Sequence, residues 1–181
     1  MKIILIRHGM TEGNLKRRYI GTTDEDLINT DCLKGDYPKC ERVVASPLEG
    51  CIQTAEYIYP NVDIEICDKL KECDFGDFEN KSYEDLKDNP DYQKWIDSNG
   101  ELPFPNGETH EDFKNRCKDG FFESLTERDT AFVIHGGSIM AIMQKLFGGN
   151  FYDYQVKNGC GYEFEMRNGE IVDDYSPIGC G

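Results

Sequence analysis

The sequence predicts an α/β fold: a three-layer α/β/α sandwich on a mainly parallel central sheet, with an antiparallel edge strand. Three observations carry that prediction. Ile3–Ile6 and Thr130–Ile134 are short apolar, β-branched runs, the signature of buried strands. Both stop on turns that carry chemistry, Arg7-His8-Gly9 and His135-Gly136-Gly137. Near the C-terminus, Asn168-Gly169 separates the runs Tyr162–Met166 and Glu170–Tyr175, a hairpin signal that predicts the antiparallel edge.

The elements follow in order. After the first strand, Thr11 is placed to cap a helix over Glu12–Tyr19 that ends in Lys16-Arg17-Arg18. Those cations suit either a helix C-terminus or a positive rim over a pocket. Ile28–Glu41 holds Gly35 and Pro38 and shows no long helical periodicity, yet parallel neighbours need a crossover here. Arg42–Ser46 reads as the second strand, and Pro47 as the start of a helix with Ile52, Ala55, Ile58 and Tyr59 on its apolar face. Asn61–Cys67 alternates as a half-exposed strand. Tyr83–Leu86 and Tyr92–Ile96 are short helical pieces around Pro90. Glu108–Leu125 is a longer amphipathic helix with Phe113, Cys117 and Phe121 inward. Ser138 is expected to cap a helix that runs to Phe147.

Length and charge bound the function. A chain of 181 residues suits one domain, 1–181, with 68–105 as an insertion or lid over one end of the sheet. A formal net charge of -15 argues against nucleic acid and anionic membranes as partners. An anionic substrate must then be drawn by a local cation. No run is long enough to span a membrane, and no signal core precedes Lys2, so the expected location is cytoplasmic. The eight cysteines form no C-x-x-C pair, so reduced thiols are expected and a zinc site is not.

Two parallel strands that each deliver a histidine at the carboxyl end bring His8 and His135 to one side of the sheet, where α/β folds bind ligands. Arg7 lies beside them, and Gly136 and Gly137 offer backbone N–H groups at a helix start. That set suits phosphoryl transfer, with an unprotonated imidazole as nucleophile and cations on the equatorial oxygens. A metal hydrolase using His8, His135 and acidic neighbours is the competing chemical reading.

Five stretches resemble, in order, the histidine phosphatase superfamily, the group containing the cofactor-dependent phosphoglycerate mutases. They are LIRHGMTEGN (Leu5–Asn14), ASPLEGCIQTAEYI (Ala45–Ile58), LKECDFGDFEN (Leu70–Asn80), FPNGETHEDFKNR (Phe104–Arg116) and VIHGGSIMAI (Val133–Ile142). The pattern is most similar to the small phosphatases of the α-ribazole phosphatase type. The resemblance implies a metal-independent, cofactor-free phosphomonoesterase, monomeric or homodimeric, acting on a small phosphorylated substrate such as α-ribazole phosphate. It makes His8 the phosphorylated nucleophile, Arg7 a phosphoryl ligand and His135 a protonated stabiliser. Asn14, Thr11 and Gly136 join as substrate contacts, and Glu72 is the proton donor, with Asp74, Asp77 and Glu79 as competing candidates for that role. Glu108 is expected to serve a helix N-terminus, His110 to be exposed and Arg116 to pair with a carboxylate. A mutase-type phosphotransferase fits less well, because the chain lacks length for larger substrate-enclosing insertions.

One position departs. The family pattern S-P-L-x-R-A carries a second phosphate-binding arginine; here Ser46-Pro47-Leu48-Glu49-Gly50-Cys51 places Gly50 there. Weakened catalysis, or a phospho-ligand binding or regulatory role, is the implied consequence unless Arg17, Arg18 or Arg116 reaches in. Arg42 precedes its strand and belongs to the opposite end.

Overall fold

The computed structural model describes residues 1–179. Strands β1 (Lys2–Arg7), β2 (Arg42–Ala45), β3 (Ile64–Ile66) and β4 (Thr130–Ile134) run parallel in the order β3-β2-β4-β1. β5 (Gly161–Arg167) pairs antiparallel with β1, and β6 (Glu170–Ile171) and β7 (Ser176–Ile178) pair with β5. The helices are α1 (Glu12–Leu15), α2 (Glu49–Ile58), α3 (Tyr83–Leu86), α4 (Pro90–Asp97), α5 (His110–Glu123) and α6 (Gly136–Phe147). This is the mixed, mainly parallel sheet with an antiparallel edge that the sequence predicts.

The strand period of two sorts the core into two layers. Ile3, Leu5, Phe132 and Ile134 point to one face, where Phe121 of α5 and Ile139, Ile142 and Met143 of α6 cover them. Ile4, Ile6, Ala131 and Val133 point to the other, against Cys51 and Ala55 of α2. Burial on both faces explains why β1 and β4 read as unbroken apolar runs. Ile3–Ile6 are fully buried, each worth about 1.5–3 kcal/mol of apolar transfer. A third cluster joins Phe78, Leu86, Tyr92 and Phe104 to Phe113 and Cys117 of α5. The segment 68–105 is thereby packed onto the body of the protein.

Several local expectations change. α1 stops at Leu15 instead of Tyr19, because Arg17 adopts φ 53° and turns the chain. The basic run is therefore not a helix C-terminus. Ser138 does not cap α6: its hydroxyl is buried and donates to the carbonyls of Leu70 (3.3 Å) and Lys71 (3.2 Å), while His135 is the N-cap residue. α5 begins at His110, with Thr109 as its cap, so Glu108 stands outside the helix. The hairpin turn forms as expected, with Asn168 and Gly169 both at positive φ, but β6 ends at Ile171. The chain then returns as β7. Cys160 is disulfide-bonded, which corrects the expectation that every thiol is reduced.

Candidate active site

The parallel register puts Arg7 opposite Ile134, so the next residues, His8 and His135, leave the sheet side by side. Their ring centroids lie 5.0 Å apart. The His8 backbone N–H donates to the Ile134 carbonyl (2.9 Å), locking the two strand ends together. His8 Nδ1 lies 2.8 Å from the Gly9 carbonyl, which only accepts, so Nδ1 carries the proton and Nε2 keeps its lone pair. Burial, with Arg7 adjacent, pushes the His8 pKa down to about 4. At neutral pH it is uncharged. The turn is tied to α2: Gly9 N–H donates to Thr54 Oγ1 (2.8 Å), whose hydroxyl donates to the Gly50 carbonyl (2.6 Å).

His135 Nε2 lies 2.8 Å from Ser46 Oγ and 3.5 Å from Cys51 Sγ. Burial, then the neighbouring His8 and Arg7, hold it well below the usual imidazole range. Those causes favour the neutral imidazole, whereas the resemblance implies a protonated one.

Glu72 is placed by a relay of contacts from α5. Arg116 donates to the carbonyls of Lys69 (2.9 Å), Lys71 (3.0 Å) and Glu72 (3.2 Å), and pairs bidentately with Glu108 at 2.8 and 2.7 Å. Arg116 thus pairs with a carboxylate as expected, and that carboxylate is Glu108. The Glu72 side chain accepts from the N–H groups of Gly137 (2.9 Å) and Cys73 (3.0 Å). Burial raises its pKa despite those bonds, which favours the protonated form a general acid needs. The neighbouring carboxylates are engaged elsewhere. Glu79 accepts from Gly21, Thr22 and Thr23, Asp74 from Gly76, and Asp77 from Asn106.

Arg7 donates through Nη1 to the Val156 carbonyl (2.8 Å), while its buried Nε has no partner among the described residues. Gly136 lies against its guanidinium: a Cβ there would stand 3.4 Å from Arg7 Cζ. Asn14 Oδ1 accepts from Asn158 Nδ2 (2.9 Å) and from Thr11 N–H (3.4 Å), which leaves its amide nitrogen for a ligand. The Thr11 hydroxyl accepts from Asn14 N–H in a capping box. It therefore holds α1 together and has its acceptor role filled from inside the chain.

Sequence reasoning missed Asn158. Its buried amide also reaches the His8 (3.0 Å) and Gly9 (3.1 Å) carbonyls, including the one that sets the His8 tautomer. An asparagine in a loop 150 residues from His8 carries no local signal. His110 was expected on the open surface; it stands between the rings of Phe104 (6.0 Å) and Phe151 (5.7 Å).

Two cavities meet this centre. One of about 370 Å3 takes in Arg7, Asn14, Arg18, Glu72, Gly136 and a ring of aromatic side chains. The other, about 20 Å3, is bounded by His8, His135, Thr11, Gly50, Cys51 and Glu25. A Cβ on Gly50 would stand 3.5 Å from His8 Nδ1 and 3.3 Å from Thr11 Cγ2, so a side chain there would approach the His8 ring. Among the described residues no arginine or lysine bounds the small cavity. Arg116 is held by Glu108, Arg17 is exposed, Arg18 faces the large cavity, and Arg42 binds Glu65 and the Ser124 carbonyl at the other end of β2.

A two-histidine centre at the carboxyl edge of a parallel sheet, with an arginine and a protonatable glutamate, defines a class of phosphoryl-transfer folds. The histidine phosphatase superfamily (branch 1) model matches residues 3–173, and the chain belongs to that family. It is 31% identical to the uncharacterized phosphatase PhoE of Bacillus subtilis, over 94% of this chain and 92% of that one. It is 25% identical to the adenosylcobalamin/α-ribazole phosphatase of Salmonella typhimurium, over 93% and 92%. The crystal structure of the α-ribazole phosphatase from Shigella flexneri superposes with a TM-score of 0.79 at 25% identity, covering 94% of this chain and 93% of that one. No helix among the described residues is long and apolar enough to cross a membrane.

Proposed function

We propose that the protein is a phosphomonoesterase that works through a phosphohistidine on His8. The observation that carries this is the His8 imidazole: Nδ1 pinned to the Gly9 carbonyl, Nε2 free, and the ring held neutral by burial. In the first step Nε2 bonds to phosphorus as the bond to the alcohol oxygen breaks, and Glu72 gives its proton to the departing alkoxide. In the second, water attacks the phosphohistidine, Glu72 takes the water's proton, and His8 is released. Arg7, the Asn14 amide and the Gly136 N–H hold the phosphoryl oxygens, and His135 gains its proton as their charge arrives. Every proton and charge in this scheme is handled by side chains or backbone, so the reaction is proposed to need no metal.

The substrate is a small phosphorylated metabolite, with α-ribazole phosphate a candidate on the similarity to phosphatases of that name. Residues 68–105 are proposed as the wall over the site, since Phe75, Trp95 and Phe104 bound the large cavity. A second reading, a phospho-ligand binding or regulatory protein with weak catalysis, is favoured by Gly50, which stands where the family pattern has an arginine and leaves the small cavity without an arginine or lysine among the described residues.

The test is trapping of a phosphoenzyme with radiolabelled 4-nitrophenyl phosphate, quenched in alkaline detergent. We expect an acid-labile, alkali-stable label that His8→Ala abolishes, with turnover reduced about 10⁴-fold or more, and phosphate release unaffected by chelator. Full turnover in His8→Ala overturns the mechanism. Tight phosphate binding without any label supports the regulatory reading.

A further inference from the structure

We infer that the large cavity selects phosphoesters whose alcohol carries a flat, uncharged aromatic or heteroaromatic body. This deepens the phosphomonoesterase reading and rests on it for the chemistry, but not for the binding. The cavity's floor is the phosphoryl end, Arg7, Glu72 and Gly136. Its walls are rings: Tyr19, Phe75, Trp95, Phe104, Phe151 and Tyr152.

These rings are set in mutual edge and tilted contacts, Phe75 to Phe104 at 5.1 Å and Trp95 to Phe104 at 5.3 Å, so they form a preformed frame. The Tyr19 hydroxyl is engaged with that of Tyr92 at 2.8 Å. Tyr19 is thereby held by its polar end, which leaves its ring as the lining surface. About 370 Å3 lies within the range of small-ligand pockets and is several times larger than a phosphate needs.

Two buried donors without partners among the described residues, Arg7 Nε and Trp95 Nε1, belong to residues of this one cavity. An unpaired buried N–H is costly, so a ligand that supplies an acceptor gains. A phosphoryl oxygen suits Arg7; a ring nitrogen or exocyclic oxygen of an aromatic body suits the indole. Compact carboxylate-bearing phosphoesters fit poorly. With Arg7 on the phosphoryl group, Arg18 is the one remaining arginine or lysine on this lining among the described residues, too few cations to hold a second anionic group among the rings.

The experiment is calorimetric titration of the full chain with methylphosphonate, phenylphosphonate and 4-nitrophenylphosphonate, none of which is hydrolysed. Affinity is expected to rise along the series, by about 30-fold in total, from ring burial and aromatic contact. Trp95 is the chain's one tryptophan, so its emission should be quenched by the nitrophenyl ligand and not by methylphosphonate. Trp95→Ala and Phe104→Leu should each shrink the aryl-to-methyl affinity ratio at least about fivefold, with circular dichroism checking that each variant folds. Equal affinities across the series, or no quenching, overturn the inference even if phosphatase activity is found. Ring-dependent binding without phosphate release from the matching esters leaves the inference standing and overturns the phosphomonoesterase reading instead.

Discussion

The two cavities at the active centre differ in what shapes them. The small one is shaped by backbone: two strand ends in fixed register bring His8 and His135 to 5.0 Å, and a residue without a side chain, Gly50, leaves about 20 Å3 beside them. The large one is shaped by side chains that arrive from well-separated stretches of the chain, among them Arg18, Glu72, Trp95, His110 and Phe151. The first cavity holds His8, the proposed nucleophile, and no arginine or lysine among the described residues. The second holds Glu72, the proposed acid, with Arg7, Arg18 and the room for an alcohol. Bond formation and leaving-group departure thus depend on different parts of the chain, and substitutions should separate them.

The largest separation is expected from Glu72→Gln, which removes the proton from the large cavity and leaves the small one intact. Hydrolysis of alkyl phosphates should fall about 10²–10⁴-fold. Hydrolysis of 4-nitrophenyl phosphate, whose leaving group needs no proton, should fall far less. Steady-state kinetics on both esters checks this. Equal losses would remove the division of labour between the cavities.

Next is the acid stability of the small cavity. His8 binds protons less readily folded, at about 4, than unfolded, near 6.5. Its lowered folded pKa contributes stability that is fully present above about 6.5 and is lost as pH falls through the folded value. Between pH 7 and 4 the loss is about 3 kcal/mol from this residue alone. Urea unfolding at pH 7.5 and 4.5, compared with His8→Gln, measures it. The same slope in the variant would show that the imidazole is not the group being protonated.

The smallest expected effect is the most diagnostic. Gly50→Arg places a cation beside the small cavity, toward the phosphoryl group proposed on His8. kcat/KM should rise about 10–100-fold, since one preorganised donor to a developing oxyanion is worth that much or more. Vanadate should also bind more tightly. Helix propensity alone adds up to about 1 kcal/mol at this position, so stability is measured in parallel. A folded variant with no gain in rate or anion affinity would show that Arg7 and the backbone already supply the needed charge.

What was legible in the sequence was what neighbouring residues decide together. The apolar runs of β1 and β4, the histidine after each, the Asn168-Gly169 turn and the absent arginine at Gly50 are local patterns, and burial on both sheet faces makes the strands unmistakable. Glu72 was legible only through its place in a resembling motif; what favours it over Asp74, Asp77 and Glu79 in the proposal is that its carboxylate meets Gly137, a contact between distant segments. Tertiary structure alone decided the rest. Asn158, the inward place of His110, the brace from Arg116 and the aromatic walls depend on segments far apart in the chain coming within a few ångströms. Side-chain spacing along one element encodes which face is buried, but not which distant surface that face will meet.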